Sequence, residues 1–333
     1  MIVAEVRRTR RRSGWPVRRT LAALGVSVAT YYRQRRRSPT RDRGVRLRSI
    51  YEALPAERTA VIAYARAHPE LRHRELAWRM VDEEVACLSP STVLRLLRAA
   101  GLVAPWFRPP KRRGCLPLRP TAPNQLWQTD LRYVPIRRRN YYLLAFVDVC
   151  SRYIPYHALL SAMDGDTLAL EAASALGPLP EDSRPVIQSD NGSGFISREF
   201  AQVLREHAVT HHRIQPHTPE QNAFVERVFR TLGERLDAHE LDAVGQARSA
   251  IAELIDWYNH SRLHSGINFL TPADVHFGHA ARRLAERRRK LAAARHARRE
   301  ENLHLRQRTL PLADRMPPRE SYTSRQAELS HFA

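Results

Sequence analysis

The chain has 333 residues, room for two or three domains at roughly 100–200 residues each. Lys and Arg number 55 against 34 Asp and Glu, a net charge of +21 that points to a polyanionic partner. The longest apolar run, Leu143 to Cys150, is broken by Asp148, and no apolar stretch follows the Arg-rich N-terminus, so neither a membrane span nor a signal peptide is expected. Cys87, Cys115 and Cys150 lie far apart with no Cys-x-x-Cys, which argues against a zinc knuckle or a disulfide framework. A soluble protein of the cytoplasm, associated with the nucleoid, is the expectation.

Every basic residue except Lys111 and Lys290 is Arg, whose fork grips phosphate with two hydrogen bonds. The charge is uneven. Residues 1–48 carry net +13, 49–105 are neutral, 114–279 carry net −4, and 280–333 carry net +8. Basic arms suit a nucleic-acid backbone, and acid gathered in the middle suggests a metal or catalytic site.

In chain order, Val17–Leu24 and Val28–Arg37 read as two helices joined by Gly25-Val26-Ser27, with Gly25 ending one and Ser27 capping the next. Arg72–Glu84 and Ser91–Ala100 read as a second pair, opened by Ser89-Pro90 and closed by Gly101. In such helix–turn–helix pairs the second helix enters the major groove. It would offer Arg33, Arg35 and Arg36 from the first pair and Ser91, Thr92 and Arg95 from the second. A Pro-rich basic stretch then reads as a linker. The expected organisation is a basic helix–turn–helix at 1–48, a second at 49–105, a linker at 106–123, a core at 124–279 and a basic tail at 280–333. The segment Ala280–Arg308 can form a basic helix that holds DNA backbone.

Within the core, Trp127–Ile136, Tyr141–Cys150 and Arg152–Leu160 read as an antiparallel meander. Helix Asp166–Leu176, strand Pro185–Gln188, helix Ser197–His207 and strand Val209–Ile214 follow. A long helix, Thr218–Leu236, closes the order, with Thr218 and Gln221 as a capping box and Phe224, Val228 and Leu232 facing the core. This is an α/β mixed sheet behind an all-α region.

Three carboxylates stand out. Asp130 sits inside the first strand, Asp190 ends the fourth, and Glu226 lies two turns into the long helix, with 35 residues between Asp190 and Glu226. Asn222 and Arg230, four residues before and after, share its helix face and are expected to meet DNA. A carboxylate in an apolar strand is costly to bury unpaired, and several converging on one point suit a divalent ion. Oxygen ligands without Cys or His favour Mg²⁺ or Mn²⁺, and two ions can clamp both oxygens of a phosphodiester exchange. Asp148 is expected to serve structure, paired with Arg152.

Gln128-Thr-Asp130, Gln188-Ser-Asp190-Asn-Gly192 and His217-Thr-Pro-Glu-Gln-Asn-Ala-Phe-Val-Glu226 resemble the three acidic motifs of DDE transposases with a retroviral-integrase-like core. Phe146–Arg152, Trp257-Tyr-Asn259, Arg262-Leu-His264 and Gly266–Asp274 resemble further core signatures of that family. Gly25–Tyr32 and Ser89–Leu102 resemble the helix–turn–helix segments of bacterial insertion-sequence transposases. Glu220 departs from the family's frequent Gln, and His73-Arg74 from a frequent Gly-Tyr. The resemblance implies a ribonuclease-H-like fold and metal-dependent cleavage and transfer of double-stranded DNA, element ends to target. It implies Asp130, Asp190 and Glu226 as catalytic ligands of two ions, in a homodimer or larger synaptic complex. A ribonuclease-H-like nuclease that only hydrolyses, or a domesticated DNA-binding protein without catalysis, are the alternatives.

Overall fold

The computed structural model describes residues 2–36, 49–103, 120–215, 218–237 and 241–309. These fall into two compact units, one formed by residues up to 52 together with those from 298, the other by 53–297.

In the first unit, helices α1 (Ile2–Ser13), α2 (Val17–Ala23) and α3 (Val28–Arg36) bury Val6, Leu21 and Tyr31. The turn between α2 and α3 is chemically specified. Gly25 takes a φ of +63°, the N–H of Val26 returns to the Leu21 carbonyl, and Ser27 Oγ accepts the Thr30 N–H at 3.2 Å. The expected first helix–turn–helix is therefore present. Asn302 is fully buried in the same unit and donates to the carbonyls of Ile50 and Glu52.

The second unit begins with α4 (Pro55–Ala67), α5 (His73–Asp82) and α6 (Pro90–Ala99), packed around Val61, Leu76, Met80, Leu88, Val93 and Leu97. Ser89 caps α6 by accepting the Thr92 N–H at 3.3 Å, as expected. Strands β1 (Leu126–Ile136), β2 (Arg139–Asp148) and β3 (Tyr156–Leu160) follow, then α7 (Gly165–Leu176), β4 (Val186–Ser189), α8 (Arg198–Glu206), β5 (His211–Arg213) and α9 (Ala223–Leu236). Helices α10 (Val244–Asp256), α11 (Pro272–His276) and α12 (Ala280–Thr309) complete the chain's described part. The sheet order is β3-β2-β1-β4-β5, antiparallel among the first three strands and parallel from β1 to β4 to β5. This is the expected mixed α/β sheet.

Both faces of the sheet are covered. On β2, Leu143, Ala145 and Val147 face α9 and α10, while Leu144 and Phe146 face α7 and α8. A strand buried on both faces reads as an unbroken apolar run, which is why Leu143–Val147 shows no alternation.

Three expectations change. The third strand starts at Tyr156 rather than Arg152, because the Asp148 carboxylate holds a turn there. It accepts from Asn124 N at 2.7 Å and from Ser151 N and Oγ at 2.6 Å, and Arg152 takes a φ of +68°. Asp148 is thus structural, with main chain and Ser151 as its partners. The long helix starts at Ala223, after a tighter turn at Pro219–Asn222, and the Thr218–Gln221 box is not formed. The Thr218 hydroxyl donates to the Gln215 carbonyl at 2.5 Å, and Gln221 Oε1 accepts the Gln215 N–H. On α9 the buried face is Val225, Val228, Phe229 and Leu232, while Phe224 is half-buried beneath the Arg152 guanidinium. Residues 53–297 form one compact unit. Most of the expected linker, including Cys115, lies outside the described residues. Cys87 and Cys150 form no disulfide, and among the described residues no helix is long and apolar enough to cross a membrane.

Candidate active site

β1 presents Gln128, Asp130, Arg132, Val134 and Ile136 to α9, since alternate residues share a face. The apolar end of that row is core, and the polar end is the candidate site. Asp130 is half-buried next to the parallel partner β4, beyond whose last residue Asp190 lies. The chain turns at Asp190, where Gly192 N–H donates to Oδ1 at 3.0 Å. Glu226 stands exposed in the first turn of α9.

Asp190 and Glu226 both act on Asp130 electrostatically. Burial pushes the Asp130 carboxyl up to about 7, the negative charges of Asp190 and Glu226 push the same way, and the Leu131 N–H at 2.8 Å opposes them. Burial also raises Glu226, with Arg230 opposing and Glu220 assisting. Among the described residues no three His, Cys, Asp or Glu side chains stand close enough together to hold a metal ion. The donor set nonetheless fits a hard divalent cation, since three carboxylates that repel one another offer only oxygen. Two depressions of about 400 and 420 Å³ lie elsewhere and include none of these acids.

The residues expected to touch DNA separate into groups. Arg35, Ser91, Arg95 and Arg230 are exposed. Arg33 and Arg36 belong to α3, but their side chains lie outside the described residues. The Thr92 hydroxyl is taken up in the α6 cap, 3.0 Å from Ser89 Oγ and accepting from Arg95 at 3.1 Å. Asn222 is a correction: it is 2% exposed and its amide donates to the Thr129 carbonyl, so it anchors α9 to β1 instead of meeting DNA. Gln128 and Gln188, buried beneath the acids with amides 2.9 Å apart, were not assigned any role by sequence reasoning. The signal was the repeated Gln-x-Asp at the two strand ends.

Residues 120–219 match a family model described as integrase core domain, and residues 207–272 match a second model of the same description. The transposase for insertion sequence element IS904 of Lactococcus lactis is 29% identical over 157 residues, 46% of this chain and 62% of that protein. An uncharacterized 31.7 kDa protein of insertion element IS407 from Burkholderia multivorans is 28% identical over 246 residues, 69% of this chain and 86% of that protein. Among solved structures, the catalytic core domain of HTLV-2 integrase in complex with magnesium is similar at 23% identity with a TM-score of 0.37, covering 47% of this chain and 99% of that one.

Proposed function

We propose that this chain, which carries an integrase core domain over residues 120–272, is a DDE transposase that cleaves DNA at element ends and joins them to target DNA. The observation that supports the reading is the Asp130 carboxyl, pushed up to about 7 by burial and, in the same direction, by the charges of Asp190 and Glu226. Asp130, Asp190 and Glu226 would hold two Mg²⁺ or Mn²⁺ ions, which supply charge neutralisation and activation of an attacking oxygen. Hydrolysis of a phosphodiester at the element end leaves a 3′-OH. That hydroxyl then attacks a target phosphodiester and displaces one strand end. The chain contributes placement, not a covalent nucleophile. Arg230 sets a positive charge beside Glu226, and the exposed Arg35, Ser91 and Arg95 are set to contact duplex DNA. The working form is a homodimer or larger assembly on two element ends, in the cytoplasm with the nucleoid.

A strand-transfer assay with duplexes that mimic element ends tests this. Joined products in Mg²⁺ or Mn²⁺ are expected. Nicks without joining would leave a hydrolytic nuclease, and binding without either product would leave a DNA-binding protein.

A further inference from the structure

The three acids come from three elements that are far apart in the chain, so something must set their mutual positions. Gln128 and Gln188 are register partners on the parallel strands β1 and β4, and each lies two residues before an acid, Asp130 and Asp190. Both are buried, at 1% and 3% exposure. The Gln128 amide makes every hydrogen bond open to it. Its Nε2 donates to Gln188 Oε1 at 2.9 Å and to the Gln221 carbonyl at 2.6 Å. Its Oε1 accepts the N–H groups of Phe224 at 3.0 Å and Val225 at 3.2 Å. A primary amide has two donors and two lone pairs, so none is left over, and reversing the amide would set oxygen against carbonyls and NH₂ against N–H groups.

The two N–H groups that Gln128 holds are orphan donors of the first turn of α9. That helix has no side-chain cap of its own: Asn222, at the cap position, donates its NH₂ to the Thr129 carbonyl, and its Oδ1 accepts no helix N–H. Gln128 is therefore the helix cap, supplied from the sheet. Val225, whose N–H it holds, immediately precedes Glu226. One amide thus joins β1, β4 and the start of α9, each within two residues of an acid.

We infer that Gln128 is the positioning residue of this site, its amide tying together the two strand segments and the helix start from which Asp130, Asp190 and Glu226 reach a shared cation. The inference rests on the proposed role of those acids. Partners of a metal ligand that orient it from behind cost about 10–100-fold in metal affinity when removed.

The test is direct Mn²⁺ binding, followed by electron paramagnetic resonance on the full chain without DNA. Gln128→Met keeps the volume and removes all four bonds, and the half-saturating Mn²⁺ concentration should rise about tenfold or more. Val228→Ala, on the buried face of the same helix, controls for general destabilisation and should leave Mn²⁺ binding where it was while lowering the melting temperature. Gln188→Met removes its bond to Gln128 and a 3.4 Å contact to His212 and should weaken Mn²⁺ by less than Gln128→Met does, which keeps the question open to measurement if Gln128→Met does not fold. Asp130→Asn separates the two levels of the argument. If Asp130→Asn binds Mn²⁺ as the unaltered chain does, the assignment of the acids falls. If Asp130→Asn loses Mn²⁺ while the glutamine variants bind it normally, or no more weakly than Val228→Ala, the positioning role falls alone.

Discussion

Arg287 and Asp82, 205 residues apart, form a two-pronged ion pair inside the second unit. Arg287 Nε lies 2.7 Å from one Asp82 oxygen and a terminal nitrogen 2.5 Å from the other. The Arg287 side chain is 4% exposed and that of Asp82 18%. The guanidinium also lies 5.1 Å over the Trp78 ring. Lys290, one turn along, donates to the carbonyls of Val81 and Asp82 at the C-terminal end of α5, where a cation is favoured. A helix rich in Arg thus has an inner face that grips α5 and an outer face left for solvent or DNA.

Removing one member of this pair should be far more harmful than removing both. Asp82→Ala strands a buried guanidinium, which typically costs about 3–5 kcal/mol, whereas an apolar replacement of both partners is often neutral. At roughly 2–4 °C per kcal/mol for a unit of this size, Asp82→Ala should lower the melting temperature by about 10 °C. The double variant Asp82→Leu/Arg287→Met should recover most of that in calorimetry. A single variant that melts within a degree of the unaltered chain would show that the pair holds nothing.

Asp130→Asn, Asp190→Asn and Glu226→Gln should each abolish cleavage and joining and leave DNA binding nearly intact. Ligands of one shared site act as a unit, so their losses do not add. Gel-shift and strand-transfer measurements on the same preparations separate the two effects. A double variant much worse than either single, or any single variant with near-normal turnover, would count against one site.

How much of this was legible in the chain depends on the distance over which the cause acts. Gly25, Ser27, Ser89 and Ser197 specify turns and caps through neighbours within a few residues, and the structure has them where local chemistry puts them. The acids stand out in the sequence because their spacing forms a motif. The start of α9 was misread for the opposite reason. Thr218 and Gln221 satisfy a local capping rule, but Gln128, 96 and 97 residues from the N–H groups it holds, supplies the cap instead. Arg287 is similar: nothing between Arg282 and Lys290 marks which cation is buried, because Asp82 decides it from 205 residues away.

Acid should destabilise the second unit in part through His264. Burial, then the charges of Arg262, Arg152 and Arg227, lower its imidazole from 6.5 to about 3. Its Nδ1 accepts the Gly266 N–H at 3.2 Å, a bond that only an unprotonated nitrogen makes. Between these values the unfolded chain binds a proton that the folded chain refuses. Stability from this group is therefore intact above pH 6.5, falls as pH drops toward 3, and levels off below it. His264→Asn keeps an acceptor for Gly266 and removes the titration. Over pH 6.5 to 4 the unaltered chain should lose up to about 1.4 kcal/mol per pH unit more than the variant in urea unfolding. Parallel pH profiles would mean that His264 titrates alike in both states.

The outer face of α12 should bind DNA backbone without reading sequence. Arg282, Arg288 and Arg289 are exposed there, while Arg287 and Lys290 turn inward. Truncating the whole basic segment would therefore confound binding with the loss of the Asp82 contact, and substituting the three outer arginines avoids this. Each phosphate neutralised releases counterions and steepens the salt dependence by about 0.9, so Arg282→Gln/Arg288→Gln/Arg289→Gln should flatten it by up to about 2.7. All duplexes should weaken alike, with melting temperature unchanged. Titrations across ionic strength, on element-end and unrelated duplexes, measure both quantities. Identical slopes would make this face inert toward DNA. A loss confined to element-end sequences would mean that these arginines reach base edges, which phosphate contacts alone do not distinguish.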